Sequence, residues 1–379
     1  MATATLSESP TVVRTAAHAA ELDFSALLAA ATRAPSGDNL QPWFFIAHPQ
    51  ESRIDVYCDT RRDASVLNAG QRMALISCGA AIENIVLLAR ENGFDCRLNL
   101  ETGIHVSSPR KRLARLTFSP RATAGTEGNV MAQIAARVTN RRRYDGRVLD
   151  SSVEEALRRA TPPLSGAKSH WLTGRDHIVP LAAAIGCGDA VLFGEAAFRN
   201  AFLKNVRFDL PADTAVEEGL SLSSLELSGI DRLALQTLRR LPDALIRLSP
   251  AALMFAAHAR SLVQSATGLC VITSDDSSSC SEICVGRAMQ RAWLALTRQG
   301  LSAQPMMSLC VLDNALRCGD LAAFARGPEA AWRVVTSAHD VFTARGLHER
   351  VRFILRFGYA PAPSGRTGRM TVATCGQTR

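Results

Sequence analysis

The chain has 379 residues, of which 47% are hydrophobic and 21% charged. That composition excludes an intrinsically disordered chain, and the length suits two domains at ~100–200 residues each. There are 43 basic residues against 35 acidic ones, a formal charge of +8 that allows a nucleic-acid or anionic partner without demanding one.

Residues 1–20 are small, polar and rich in Ala and Thr, and read as a flexible tail. They lack the basic-then-apolar order of a secretory signal. Asp23 is placed to cap a helix reaching Thr32, with Leu27, Leu28 and Ala31 on one face. Pro35 and Gly37 end it. Strands are predicted over 43–47 and 53–59, then a long helical region over 68–92 closed by Gly93. Further strands are predicted over 97–102 and 113–118.

The chain then restarts. Residues 79–93 read GAAIENIVLLARENG and residues 286–300 read GRAMQRAWLALTRQG. Gly79/Gly286, Ala81/Ala288, Leu87/Leu294 and Gly93/Gly300 are identical. Upstream, Leu22-Asp23 is echoed by Leu149-Asp150, and the Ala34–Gly37 turn more weakly by Pro163–Gly166. Two readings stand: unrelated amphipathic helices, or a tandem pair of related domains over 21–130 and 131–379. In the second, residues at about 187–266 form a lid-like insertion, with 206–226 loop-like and helices over 230–240 and 250–264.

No run of ~18 uncharged apolar residues occurs, so no membrane span is expected. The ten cysteines are scattered without a C-x-x-C pair, which suits reduced thiols and a cytoplasmic location. Gly186-Cys187-Gly188 lacks the third glycine and the preceding strand of a dinucleotide loop. The histidines lie singly, so neither a metal site nor a catalytic side-chain constellation is expected. Arg137, Thr139, Asn140, Arg141, Arg142 and Arg143 form a basic cluster, and Arg366 and Arg369 a second. These are either a solvated basic face or a phosphate clamp. They lack the aromatic interleaving of a nucleic-acid platform.

The segment Ala34-Pro35-Ser36-Gly37-Asp38-Asn39-Leu40-Gln41-Pro42-Trp43 resembles the A-P-S-x-x-N-x-Q-P-W segment of the FMN-binding nitroreductase family. Arg137-x-Thr139-x-Arg141 is similar to that family's R-x-S-x-R phosphate segment. Residues 286–307 resemble its helix and flavin-flanking loop, and Gly358-Tyr359-Ala360-Pro361 its C-terminal segment. The order of these segments is that of the fused, twin-domain branch.

The resemblance implies an α+β fold of two tandem nitroreductase-like domains. Each would have a mixed, mainly antiparallel sheet flanked by helices, and together they would form an internal pseudo-dimer. It implies one FMN per chain, held by Pro35, Ser36, Gly37, Asn39 and Gln41 from the first domain. Arg137, Thr139, Arg141, Pro305, Met306, Met307, Ser308, Arg366 and Arg369 would come from the second. Asn39 and Gln41 would meet the pyrimidine edge, and the arginines the phosphate. The reciprocal site would need Pro163–Gly166 and a clamp near Arg14, both degraded. Met307 and Ser308 stand where many relatives carry an acidic residue and then glycine. The implied activity is hydride transfer through flavin N5 from NAD(P)H to a nitro, quinone or similar small-molecule acceptor, by a monomer with no nucleic-acid or membrane partner. Alternatives are a flavin-sequestering protein with a covered ring, or a specialised flavin dehydrogenase on a biosynthetic intermediate.

Overall fold

The computed structural model describes residues 21–102, 109–121, 128–211, 214, 216–276 and 278–379. The expected tail over 1–20, with Arg14, lies outside the described residues.

The first half runs α1 (Phe24–Thr32), β1 (Trp43–His48), β2 (Arg53–Asp59), α2 (Arg72–Glu91), β3 (Phe94–Leu100), β4 (Arg110–Pro120) and α3 (Val130–Ala136). The second opens with α4 (Ser151–Ala160) and β5 (Lys168–Thr173). A helical stretch follows: α5 (Arg175–Gly194), α6 (Ala196–Asn205), the short strands β6 (Val206–Arg207) and β7 (Leu220–Ser221), α7 (Gly229–Arg240), α8 (Asp243–Leu248) and α9 (Ala251–Gln264). The chain closes with β8 (Gly268–Thr273), α10 (Ser279–Arg298), β9 (Ser302–Pro305), α11 (Ser308–Arg317), α12 (Glu329–Thr343), β10 (Val351–Gly358), α13 (Val372–Cys375) and β11 (Gly376–Thr378).

Two larger sheets result, with orders β11-β1-β2-β4-β3 and β5-β8-β10-β9. Setting β11 aside, both place their strands in the chain order first, second, fourth, third. Each inserts a 20-residue helix, α2 or α10, between its second and third strands. Within each four-strand set every pairing is antiparallel. β11 joins the first sheet in parallel with β1, Phe45 opposite Gly376, so the chain's last strand completes the other half's sheet.

Local signals account for many boundaries. The Asp23 carboxylate accepts from the Ala26 amide at 3.0 Å and starts α1. Gly93, at φ +83°, turns the chain from α2 into β3. The predicted helical region over 68–92 is broken at its start by a kinked 3-10 turn, Val66–Gln71. β3 and β4 begin three residues earlier than expected. Their pairing, from Phe94 opposite Pro120 to Leu100 opposite Ala114, carries strand structure beyond the apolar alternation.

The insertion is also wider than the expected 187–266. The β1–β2 link is only 49–52, but the β5–β8 link is 174–267, because α5 already belongs to it. The stretch read as loop-like, 206–226, holds β6 and β7, and Leu220, Leu222 and Leu225 are buried there. All ten cysteines are free thiols. By length and apolarity, the segments Val66–Glu91 and Arg175–Gly194 could cross a membrane, but 89% of the first window is buried in the core.

The halves meet where α2 crosses α10. A methyl on Gly79 would sit 2.1 Å from the Ile283 carbonyl oxygen, and one on Gly286 would sit 1.9 Å from that of Ile76. Each isoleucine lies three residues before the glycine of its own helix. The contact is therefore reciprocal, as at a twofold-related interface. Beside it the fully buried Glu83 carboxylate accepts from Arg287 Nε at 2.7 Å and from Arg291 Nε. Gln290 donates to Asn84 Oδ1 at 2.7 Å. A Gly→Ala change inside an exposed helix gains about 1 kcal/mol. Gly286→Ala is expected instead to lose about 1–3 kcal/mol by overpacking. Thermal unfolding checks this, and an unchanged or raised Tm contradicts backbone contact at the crossing.

Candidate functional site

The helix crossing forms part of the wall of a cavity of about 570 Å³. Met73, Ile76 and Ser77 of α2 line it together with Met289 and Trp293 of α10. Of the fourteen residues expected at a site, thirteen line this one cavity: Pro35, Ser36, Gly37, Asn39, Arg137, Thr139, Arg141, Pro305, Met306, Met307, Ser308, Arg366 and Arg369. The second half's weak copy of the first turn, Pro163–Gly166, takes no part in lining it.

Gln41 is the exception. It is wholly buried and away from the cavity wall. Its amide donates to the Glu217 carbonyl at 2.6 Å and the Asn39 carbonyl at 3.1 Å, and accepts from the Met370 amide at 3.0 Å. Gln41 therefore braces the segment and has no donor left for a ligand edge. Asn39 also departs from its expected role. Its Nδ2 donates to the Glu217 and Gly368 carbonyls, and its Oδ1 accepts from Arg369 at 2.8 Å. It positions Arg369.

The 35–41 segment is held in a costly conformation. Asp38, Asn39 and Gln41 have φ of +44°, +59° and +51°. Such backbone persists only where its surroundings over-determine it. Here the Ser36 hydroxyl accepts from the Gln41 amide at 3.0 Å, and the Ser36 carbonyl from the Asn39 amide at 3.2 Å.

Arginines collect on one wall. Arg137 ends α3, is buried, and lies over the Trp293 ring at 4.6 Å. One of its amino groups donates to the Arg33 carbonyl at 3.1 Å, while its Nε has no partner. Arg369 Nε is likewise buried without a partner. Arg366 donates to the Ala135 and Ala136 carbonyls, capping the end of α3. Among the described residues no carboxylate forms an ion pair with Arg137, Arg366 or Arg369. Burial and then the neighbouring charges of Arg369 and Arg366 push Arg137 well below the usual guanidinium range. Burial, then Arg33, lowers Arg369 to about 10. Buried Arg137 and half-buried Arg369, with exposed Arg366 beside them and no carboxylate paired to any of the three, fit an anion with several oxygens, such as a phosphate monoester. The basic cluster of the sequence divides here: Arg141 reaches the cavity and donates to the Ser224 carbonyl, whereas Arg142 pairs with Glu226 at 3.0 Å.

Residues 216–226 of the insertion form a strap stitched to both halves. Asn39, Gln41 and Arg62 hold it at Glu217 and Glu218; Arg141 and Arg142 hold it at Ser224 and Glu226; the Gly368 amide donates to the Val216 carbonyl at 2.8 Å.

Four aspartates line the cavity without having been apparent in the sequence, Asp38, Asp63, Asp189 and Asp231, and two of them carry marked shifts. Asp189, on α5, accepts a hydrogen bond from the Ser308 side chain, and burial raises it to about 7. Burial raises Asp38 to about 6, against the opposing hydrogen bond from Asn205 Nδ2 at 3.0 Å. The rejected Gly186-Cys187-Gly188 motif was the available clue to Asp189. A methyl on Gly186 would meet the Ala256 carbonyl at 2.9 Å, and one on Gly188 would meet Ser308 Oγ at 2.9 Å. Those glycines let α5 approach α9 and the start of α11 closely enough to bring Asp189 to the cavity. No group of three or more His, Cys, Asp or Glu suited to a metal ion occurs among the described residues.

No family model matches the chain. It is 25% identical over 280 residues to the uncharacterized protein MT1398 of Mycobacterium tuberculosis (strain CDC 1551 / Oshkosh), covering 73% of this chain and 38% of that protein. It is 28% identical over 134 residues to the uncharacterized protein Rv3127 of Mycobacterium tuberculosis (strain ATCC 25618 / H37Rv), covering 34% and 38%. The match thus spans 38% of the length of these relatives. Among solved structures the chain is similar to an FMN-dependent nitroreductase, NfnB, from Mycobacterium smegmatis in complex with NADPH, at TM-score 0.35 and 15% identity over 64% of this chain and 95% of that one. It is also similar to a putative nitroreductase from Anabaena variabilis, at TM-score 0.42 and 11% identity over 87% and 82%.

The raised carboxyl of Asp189 has a stability consequence. Its folded-state value lies above its unfolded one, so the native chain binds more protons between about pH 4 and 7, and stability falls as pH rises through that window. Asp189→Asn removes the term. Its Tm is expected to match wild type near pH 4 and to exceed it by about 2 °C or more at pH 8. Parallel pH profiles of the two proteins would contradict the burial of this carboxyl.

Proposed function

We propose that this chain is an FMN-dependent oxidoreductase of the nitroreductase type, acting as an internal pseudo-dimer of two related domains over 21–130 and 131–379. The observation that carries the proposal is the unpaired cationic wall of Arg137 and Arg369, sharing one cavity with the strained 35–39 turn and with Pro305–Ser308. FMN, when bound, supplies two-electron transfer between a donor and an acceptor.

The chain's own residues supply binding and orientation. Arg137 and Arg369 hold the phosphate, Arg369 being aimed by Asn39. Arg141 and Thr139 add donors from the same segment. Pro305 and Met306 give an apolar bed for one ring face, and the first amides of α11 offer donors at its edge. Asp189, beside Ser308, holds a proton near neutral pH and can stabilise or release it as charge changes in the cavity. NAD(P)H is the proposed donor and a nitro, quinone or similar small molecule the proposed acceptor. We place the protein in the cytoplasm as a monomer.

A second reading is favoured by one observation, the strap over 216–226. A strap tied at so many points suits a flavin-holding protein with a covered ring and little reactivity toward nicotinamide.

The visible spectrum of the purified protein tests the proposal. A yellow protein is expected, with FMN released on denaturation. Arg137→Ala and Arg369→Ala are each expected to weaken FMN retention roughly ten- to a hundredfold, since a hydrogen bond to a charged group is worth about 1.5–3 kcal/mol. Colourless protein that takes up no added FMN would overturn the reading. Anaerobic addition of NADPH separates the two forms: bleaching supports the oxidoreductase, and a persistent yellow colour the covered-ring protein.

A further inference from the structure

The cavity has a second kind of wall, contributed by the insertion. Phe193, Phe202 and Phe255 line it, with Leu235, Leu238 and Met254. The aromatic rings are ordered: Phe193 stacks on Phe255 at 4.4 Å and 18°, and meets Phe202 edge-on at 5.5 Å. Among the described residues no lysine or arginine of the insertion lines the cavity. Its polar lining residues are Asp189, Ser224, Asp231 and His258. Burial lowers His258, which favours the neutral ring. An anionic ligand portion finds no counter-charge on this wall.

The wall also reaches the surface, where exposed Ala234 and Met254 form an apolar stretch of a rim that also carries exposed Asp231 and His258. Met254 lines the cavity and is 57% exposed, and Ala234 lines it and is exposed. Their chain neighbours on α7 and α9, Leu233 and Leu253, are 65% and 70% exposed. A chamber for a small polar molecule needs no such rim. A ligand with an apolar chain does, because the chain leaves the cavity along it and each buried methylene adds about 0.8 kcal/mol.

We infer that the insertion builds a subsite for the apolar chain of an uncharged, lipophilic substrate, whose polar head lies inward toward Asp189 and Ser308. The inference rests on the flavin reading for the position of the head, and on the chamber alone for the chain.

Equilibrium binding of two benzoquinones that differ only by a ten-carbon chain, decylubiquinone and its chainless parent, tests it on the purified protein as isolated. The chain-bearing probe is expected to bind at least tenfold tighter. Ala234→Trp, which fills the rim without removing a core side chain, is expected to abolish that preference while leaving chainless binding within about twofold. Met254→Lys is a second variant at an exposed position and is expected to act in the same direction. Equal binding of the two probes, or a chain preference that survives both substitutions, overturns the inference. Flavin absorbance recorded on the same samples separates the two claims. Retained flavin without chain preference defeats the subsite alone, and chain preference in protein that neither holds nor takes up FMN defeats the cofactor reading alone.

Discussion

Two glycines that leave no room for a methyl group hold the halves of this molecule at backbone contact. Gly79 lies against the Ile283 carbonyl and Gly286 against that of Ile76. The separation of α2 and α10 therefore leaves no slack, and so does the placing of Met73, Ile76 and Ser77 opposite Met289 and Trp293 in the cavity wall. Buried charge reinforces the crossing. Glu83 is surrounded by two arginines of the other helix, so separating the helices would leave a carboxylate in the core without its partners. The parallel pairing of β11 with β1 ties the same halves together at the sheet.

On that frame the arginines of the cavity work against folding unless an anion joins them. Burial disfavours the charge of Arg137, and the neighbouring charges of Arg369 and Arg366 add to that. Removing charge from water without a partner costs free energy that an incoming anion restores. The strained turn at 38–41 follows the same logic: local conformational energy is held by many hydrogen bonds at the place where a ligand would sit. The strap over 216–226 joins the 35–41 turn, the arginine segment and the C-terminal segment into one network, so ordering any one of them helps to order the others.

Much of the fold can be read from the sequence because its signals are local. Asp23 as a cap, Gly93 at positive φ and the two Gly-bounded helices mark the elements and the pair of helices that cross. The 35–43 turn and the separated arginines mark residues that the fold brings together, since thirteen of the fourteen expected residues line one cavity. What could not be read depends on distant partners. Gln41 and Asn39 look like ligand-edge amides until their carboxamides are seen bound to Glu217, Gly368, Met370 and Arg369. Asp189 lies in a helix whose glycines resemble a broken nucleotide loop, and only the packing of α5 on α11 brings it to Ser308. The insertion's helices over 230–240 and 250–264 are legible, but its apolar residues become a chamber only when α5, α6, α7 and α9 close around them.

We propose that two copies of one fold combine to make a single cofactor site. The number and position of flavins in a crystal of the holoprotein test it most directly. One FMN per chain is expected, its phosphate beside Arg137 and Arg369 and its ring between the 35–39 turn and Pro305–Ser308. Two flavins per chain, or one held by residues of a single half, would contradict it.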